Sequence, residues 1–157
     1  DMTIELLMYD FDPDLRERFI TGSPVVDPIE DIGLSGFFEG FDTDEHQFNP
    51  AGYSFNTIGG KTYATLHVTP QSEGSYVSFE TNRPCDSLDT RIIVSRLLDF
   101  FKPARSDLLL FQGTIELESI NSGFRVTASD SRELACGYSV KYAHIENFST
   151  SRQSTPI

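Results

Sequence analysis

The chain has 157 residues, of which 38% are hydrophobic and 23% charged, so it is long enough for one domain with a buried core and too short for two. Its formal net charge of −12 makes nucleic acid and anionic membranes poor partners. No apolar run approaches the ~18–20 residues that span a bilayer, and the N-terminus does not have the pattern of a signal peptide.

The cysteines and the first residue give two further expectations. Cys85 and Cys136 lie far apart without metal-binding spacing, which predicts free thiols in a reducing compartment and hence a cytoplasmic protein. The three histidines also lack metal-binding spacing, so no metal site is predicted. The chain begins with Asp1 inside a strand-like alternation, so we expect it to be a segment of a longer chain.

The first third of the chain alternates and then changes period. Thr3 to Asp10 alternates apolar and polar residues, which predicts a strand. Asp12-Pro13 is a typical helix start, and we expect that helix to run to about Phe19. Ile29 to Phe38 is expected to hold one more helical turn before a strand that ends near Phe48.

The middle third contains a predicted hairpin and the clearest predicted helix. Tyr53 to Ile58 and Lys61 to Thr69 flank Gly59-Gly60, which indicates a tight turn between paired strands. Ser75 to Thr81 is predicted to be the next strand, and Asp86 to Phe101 a helix that Asp86 or Ser87 caps. The predicted apolar stripe of this helix is Leu88, Ile92, Leu97, Phe100 and Phe101.

The last third is predicted to consist of strands. Asp107 to Gln112 contains the sequence LLLF, which is apolar on both faces, so we expect both faces of this strand to be covered. Ile115 to Ile120, Phe124 to Ala128 and Tyr138 to Ile145 are predicted as further strands.

These elements together predict an α+β fold, a mostly antiparallel sheet with two main helices. Residues 1–148 are expected to form a single domain. Residues 149–157 are polar and are expected to be a disordered tail.

One serine and one histidine stand out in the predicted hairpin. If its strands pair, Ser54 and His67 come close, because their offsets from the glycine turn are similar. A hydroxyl and an imidazole within hydrogen-bond reach can carry out proton-transfer chemistry. The alternative, that each is a structural strand residue, stays open at this point.

Acidic residues lie in otherwise core-like strands. Glu5 and Glu80 do so, and Asp1 is in register with Glu5 along the first strand. If they are partly buried, these carboxylates need a cation; if they are exposed to solvent, they do not. Phe48, next to Asn49-Pro50, is either a core residue or an aromatic platform for a ligand ring.

Several segments resemble one enzyme family, the eukaryotic-type S-adenosylmethionine decarboxylases. They are FNPAGYSFN, TLHVTP, SYVSFETN, a helix that ends in FFKP, and the opening DMTIELLMYDFDP. The resemblance implies a four-layer α/β/β/α sandwich of two similar halves, of which this chain corresponds to the second. In each half, an antiparallel β-sheet packs helices on one face and the other half of the sandwich on its opposite face. The first half, with the self-cleavage site and the family's catalytic cysteine, is absent from this sequence.

The resemblance also implies a chemistry and partners. The proenzyme cuts itself at a serine upstream of this chain, which leaves a pyruvoyl group as the cofactor. This group binds the amine of S-adenosylmethionine and accepts electrons as carbon dioxide leaves. The product feeds spermidine and spermine biosynthesis. Implied partners are the N-terminal half or beta chain, putrescine as an activator, and a second subunit in a homodimer or in a heterodimer with a paralogue.

Residue roles carry over from the resemblance. Ser54 matches the serine that supports the cleavage intermediate, and His67 matches the histidine that takes the α-proton of the ester. Phe48 matches an aromatic residue that stacks on adenine. The acidic site that holds putrescine in some members matches Asp1, Thr3, Glu5, Glu80, Phe111 and, more loosely, Tyr138.

One departure from the family leaves two functions open. Where the family has a glutamate that binds the ribose hydroxyls, this chain has Gln71, which loses charge-assisted hydrogen bonds. Gln71 favours a non-catalytic regulatory paralogue that activates a decarboxylase partner. Ser54 and His67, which such a paralogue does not need, favour the enzyme.

Overall fold

The computed structural model describes residues 1–21, 27–116, 120 and 123–149, which form an α+β domain built on one antiparallel sheet. The strands of the described residues are β1 (Thr3–Tyr9), β2 (Asp42–Gln47), β3 (Tyr53–Gly59), β4 (Thr62–Thr69), β5 (Tyr76–Thr81), β6 (Arg105–Phe111), β7 (Phe124–Glu133) and β8 (Ser139–Asn147). The helices are α1 (Pro13–Thr21), α2 (Pro28–Ile32) and α3 (Ser87–Phe101), with a 3₁₀ turn at Ser35–Phe37. The strand order is β2-β3-β4-β5-β1-β6-β8-β7.

The core lies between the helices and one face of the sheet. Alternation in β1 sends Ile4, Leu6 and Met8 to that face, where all three are fully buried. Phe19 from α1 and Phe101 from α3 meet there with ring centroids 6.3 Å apart. The chain therefore covers one face of its sheet by itself.

The helix boundaries follow from side-chain caps that the sequence predicts. Asp12 Oδ1 accepts a hydrogen bond from the Leu15 backbone N–H at 2.9 Å. Asp86 Oδ1 accepts one from the Asp89 backbone N–H at 2.8 Å, which confirms Asp86 as the cap of α3. Lys102 then adopts a left-handed conformation, with φ of 45°, and ends α3 before a proline.

The predicted apolar stripe of α3 is partly wrong. Leu97 and Phe101 are buried as expected, but Leu88 is 52% exposed and Ile92 only partly buried. The buried face is rotated by about one residue, because adjacent apolar pairs such as Ile92-Ile93 fit two helix orientations equally well. The buried residues of α3 are Thr90, Ile93, Val94, Leu97, Leu98 and Phe101.

The strand predicted over Ile115 to Ile120 is not seen in the described part of that segment. Ile115 and Glu116 are not in a strand, although Ile115 packs against the core, and residues 117–119 lie outside the described residues. The preceding strand ends before Gln112, whose φ of 55° breaks the extended backbone. From residue 150 onward, the predicted tail also lies outside the described residues.

Among the described residues, the other face of the sheet is only half covered. In β6, Leu108 and Leu110 are each 1% exposed, whereas Leu109 and Phe111 are partly exposed on the opposite face. The prediction that both faces of LLLF are covered is therefore met on one face among the described residues, and on the opposite face it stays a prediction. We call this second face, which also carries Glu5 of β1, the open face.

Candidate functional site

The β3–β4 hairpin creates the open-face pair that the sequence predicts. Ser54 and His67 are directly opposite each other in the antiparallel register, so their side chains share one face. The turn lies one residue later than predicted, because Gly59 is the last residue of β3 and pairs with Thr62. The expected juxtaposition of Ser54 and His67 is confirmed.

Gly59 and Gly60 of this hairpin are both positions that favour glycine, but for different physical reasons. Gly60 has φ of +64°, in the left-handed region that favours glycine. A Cβ on Gly59 would lie 2.6 Å from Cδ1 of Phe41, closer than real contacts allow. Gly59 is therefore required for the close approach of Phe41.

Ser54 and His67 differ in exposure and in hydrogen bonding. Ser54 is 9% exposed, and its Oγ accepts a hydrogen bond from Nδ2 of Asn56 at 2.9 Å. His67 is exposed to solvent on the next strand. A buried, held hydroxyl thus stands beside an imidazole that an incoming group can reach.

A pocket of about 350 Å³ joins this pair to the predicted aromatic platform. Phe48, Ser54 and His67 all line it. Phe48 is 49% exposed, so it lies outside the core that the described residues form, and the centroid of its ring is 4.6 Å from that of the His46 ring, which it meets edge-on. Gln71 is exposed and follows two residues after Thr69, which also lines this pocket.

Glu5 and Glu80 also face each other, in this case across β1 and β5. Both are partly buried, and Tyr63 Oη donates a hydrogen bond to Glu80 Oε1. Burial first, and the charge of Glu80 second, raise the pKa of the Glu5 carboxyl. The hydrogen bond to Glu80, followed by burial, raises the pKa of Tyr63 to about 12.

The remaining residues of the predicted acidic site lie at the same end of the sheet. Thr3 and Phe111 are opposite each other on β1 and β6, on the open face beside the row of Glu5. The Asp1 backbone nitrogen donates to Tyr138 Oη at 2.8 Å, and both residues are exposed. The structure thus brings Glu5 and Glu80 into direct opposition, and places Asp1 with Tyr138 where β1 begins.

Sequence reasoning missed two neighbours of Ser54. One is His46, which lies directly opposite Ser54 on β2. Asn56, two residues after Ser54 on the same face, holds the serine oxygen. The i, i+2 spacing in YSFN is the signal that could have indicated Asn56, whereas no sequence pattern indicates the strand register that pairs His46 with Ser54.

A second polar cluster was also missed on the open face. Asp107 Oδ1 accepts a hydrogen bond from Tyr142 Oη at 2.8 Å and lies 2.7 Å from His144 Nδ1. The hydrogen bond to Asp107, burial and the charge of Asp107 together raise the pKa of Tyr142. These residues come from β6 and β8, more than 30 positions apart, so no local pattern in the sequence indicates them.

Within the described ranges, no three His, Cys, Asp or Glu side chains are grouped as metal ligands would be. None of the described helices has the length and apolar character needed to cross a membrane. Cys85 and Cys136 both carry free thiols, as predicted.

Comparison with known proteins gives one consistent result. The family model described as adenosylmethionine decarboxylase matches residues 1–155. The chain is 36% identical over 114 residues to the S-adenosylmethionine decarboxylase proenzyme of Xenopus laevis, covering 71% of this chain and 33% of that protein. It is 34% identical over 113 residues to the proenzyme of Dictyostelium discoideum, covering 71% of this chain and 29% of that protein.

A solved structure supports the fold. The crystal structure of the Trypanosoma brucei AdoMetDC-delta26 monomer superposes with a TM-score of 0.77 at 24% identity, covering 94% of this chain and 65% of that one. The chain spans about a third of the length of the curated relatives that it matches.

Proposed function

The chain belongs to the adenosylmethionine decarboxylase family, and we propose that it is the C-terminal portion of a self-processing, pyruvoyl-dependent S-adenosylmethionine decarboxylase. In this proposal the product serves spermidine and spermine biosynthesis. The free thiols of Cys85 and Cys136 support a cytoplasmic location. The observation that carries the proposal is the opposition of Ser54 and His67 in the pocket that Phe48 lines.

The exposure of each side chain suits its proposed role in processing. His67 is exposed on a face that the described residues leave uncovered, so its imidazole is accessible as a general base to a segment that lies against that face. Ser54 is buried and held, so its hydroxyl is available at a fixed position for a hydrogen bond to the reacting carbonyl.

The pocket also fits a cofactor that another segment supplies. The pyruvoyl group is proposed to come from an upstream serine outside this chain, and the pocket of about 350 Å³ opens on the uncovered face where such a segment would enter. When bound, the group would supply an electron sink for the departure of the substrate carboxylate. Ser54 and His67 are the residues of this chain that would lie against it.

S-adenosylmethionine is the proposed substrate. The exposed ring of Phe48 offers a stacking surface for adenine, and His46 contacts that ring edge-on. The Gln71 amide would hydrogen-bond the ribose, with neutral bonds in place of charge-assisted ones. The N-terminal half or beta chain of the same enzyme is the proposed cover of the open face, and a homodimer or a heterodimer with a paralogue is the proposed assembly.

Putrescine is the proposed activator at the acidic end of the open face. Glu5 and Glu80 place two partly buried carboxylates opposite each other, which is unfavourable without a cation. A diamine that carries two ammonium groups would neutralise both. Asp1, Thr3, Phe111 and Tyr138 are the proposed neighbours of this site.

A second candidate, a regulatory paralogue without activity of its own, is favoured by one residue. Gln71 stands where the charge-assisted contact to ribose is expected. The intact mass of the full-length product separates the two functions. An upstream chain break with a pyruvoyl end is expected for the enzyme. An uncut chain that stimulates a separate decarboxylase would overturn the enzyme in favour of the paralogue.

A further inference from the structure

The contact between Asn56 and Ser54 uses the hydroxyl of Ser54 as an acceptor and not as a donor. A serine hydroxyl has one hydrogen to donate and two lone pairs that accept. Asn56 Nδ2 lies 2.9 Å from Ser54 Oγ and donates to it, because an amide nitrogen cannot accept. One lone pair of Ser54 is therefore occupied, while its own O–H is not used in this contact.

Asn56 reaches Ser54 along the strand rather than across it. Residues two apart in β3 point to the same face, and Asn56 is partly buried while Ser54 is 9% exposed. Few water molecules can compete for a hydroxyl buried to this extent. The amide thus sets the rotation of the hydroxyl in a place where solvent would not.

We infer that Asn56 is a positioning residue that turns the Ser54 hydroxyl into a hydrogen-bond donor aimed at the His67 side of the pocket. This inference rests on the proposed function, in which Ser54 supports the self-cleavage step. By occupying an acceptor site of Ser54 Oγ, Asn56 leaves the O–H to meet the oxygen that gains negative charge in that step. Asn56 itself touches no reacting atom.

Two substitutions separate positioning from simple structural support. Asn56→Ala removes the donor and frees the hydroxyl to rotate. Asn56→Asp keeps the size and shape of the side chain but offers only acceptors, so the Ser54 O–H turns toward the aspartate and away from the pocket. If Asn56 merely supports the strand, Asn56→Asp, which keeps the shape of the side chain, should be milder than Asn56→Ala. If Asn56 orients Ser54, Asn56→Asp should be the more severe of the two substitutions.

The experiment measures self-cleavage of the full-length proenzyme that contains this chain, by gel and intact mass, for wild type and both variants. We expect Asn56→Ala to slow cleavage about three- to tenfold, since one neutral hydrogen bond is lost. Asn56→Asp should slow it more than about tenfold, since a charge-assisted bond then holds the hydroxyl in the wrong direction. Thermal melting of each uncut protein checks that the fold is intact.

The Ser54→Ala background is the matched control. Without a hydroxyl to orient, Asn56→Ala and Asn56→Asp should add no further slowing to the rate of Ser54→Ala. Equal slowing by these substitutions in both backgrounds would overturn the inference, as would a milder effect of aspartate than of alanine in folded protein. If the aspartate of Asn56→Asp acted only through the effect of its charge on His67, raising the pH from 7 to 8.5 would restore the cleavage rate, and this result would contradict the inference. Slow cleavage that persists at pH 8.5 supports capture of the Ser54 hydroxyl by the aspartate.

Failure of the inference differs from failure of the proposed function. A wild-type proenzyme that never cleaves itself contradicts the function and leaves nothing for Asn56 to assist. A wild-type protein that cleaves normally, with variants that cleave at the same rate, contradicts the role of Asn56 alone.

Discussion

Replacing Glu5 by glutamine should make the protein more stable at neutral pH. Glu5 and Glu80 are cross-strand neighbours, and such pairs have Cβ atoms about 4.5–5.5 Å apart. Two carboxylates about 6 Å apart repel by about 0.7 kcal/mol at the permittivity of water and about 2.8 kcal/mol at an effective permittivity of 20. Because both side chains are partly exposed, solvent screening reduces the expected gain to about 1 kcal/mol.

The pH dependence of this gain has a definite sign. Burial and the charge of Glu80 raise the pKa of Glu5 in the folded state, so the folded protein binds that proton more tightly than the unfolded chain. The native protein therefore has the full benefit of a neutral Glu5 at low pH and loses it as pH rises through the folded pKa. Glu5→Gln should match wild type near pH 4 and exceed it at pH 7.

Thermal melting without diamine, at several pH values, tests this reasoning. For a protein of this size or larger, about 1 kcal/mol corresponds to a rise in Tm of roughly 2–4 °C at most. Glu39→Gln is the matched control, because it removes one negative charge from an exposed position outside the two strands that carry the pair. A Glu5→Gln protein that melts below wild type at pH 7, or whose gain is the same at pH 4, would refute the argument.

Three further predictions concern the proposed activity. His67→Ala in the full-length protein should stop processing at the ester, which hydroxylamine then cuts; normal self-cleavage would contradict the proposed base. Gln71→Glu should lower KM about tenfold or more by restoring charge-assisted bonds, and an unchanged KM would mean that residue 71 does not touch the ribose. Putrescine at 100 times its Kd should raise the free energy of unfolding of the wild-type protein by about 2.7 kcal/mol, and that of Glu5→Gln far less. If millimolar putrescine does not raise the Tm of the wild-type protein, the proposed diamine site is wrong.

Most of the fold could be predicted from local sequence patterns, because the strands and helix caps that they indicate depend on residues close together in the chain. The alternation in β1 and the caps at Asp12 and Asp86 depend on residues within a few positions of each other, and the structure confirms them. The orientation of α3 could not be predicted in the same way. Its rotation is decided by the sheet against which it packs, and the isoleucine pair in α3 fits either orientation.

The candidate site likewise has contacts that are local in the sequence, which could be predicted, and contacts between distant positions, which could not. Ser54 and His67 are joined by one short hairpin, so counting from its turn was enough to predict their opposition. Their roles remain predictions. The contact of Asp107 with His144 requires the register of β6 and β8, which connects positions distant in the chain. No count of residues gives that register, so sequence reasoning missed the cluster.

The position of the acidic pair suggests why activation and assembly would be linked. Glu5 and Glu80 lie on the open face, beside Leu109 and Phe111, which are also only half buried. If the N-terminal half covers this face, as we propose, it removes water from the apolar and acidic residues together. Burial of the leucine and phenylalanine then favours assembly, whereas burial of two carboxylates without a neutralising cation opposes it. A diamine that pairs with both carboxylates would remove the opposing contribution, so the ligand would act by allowing the two halves to close fully.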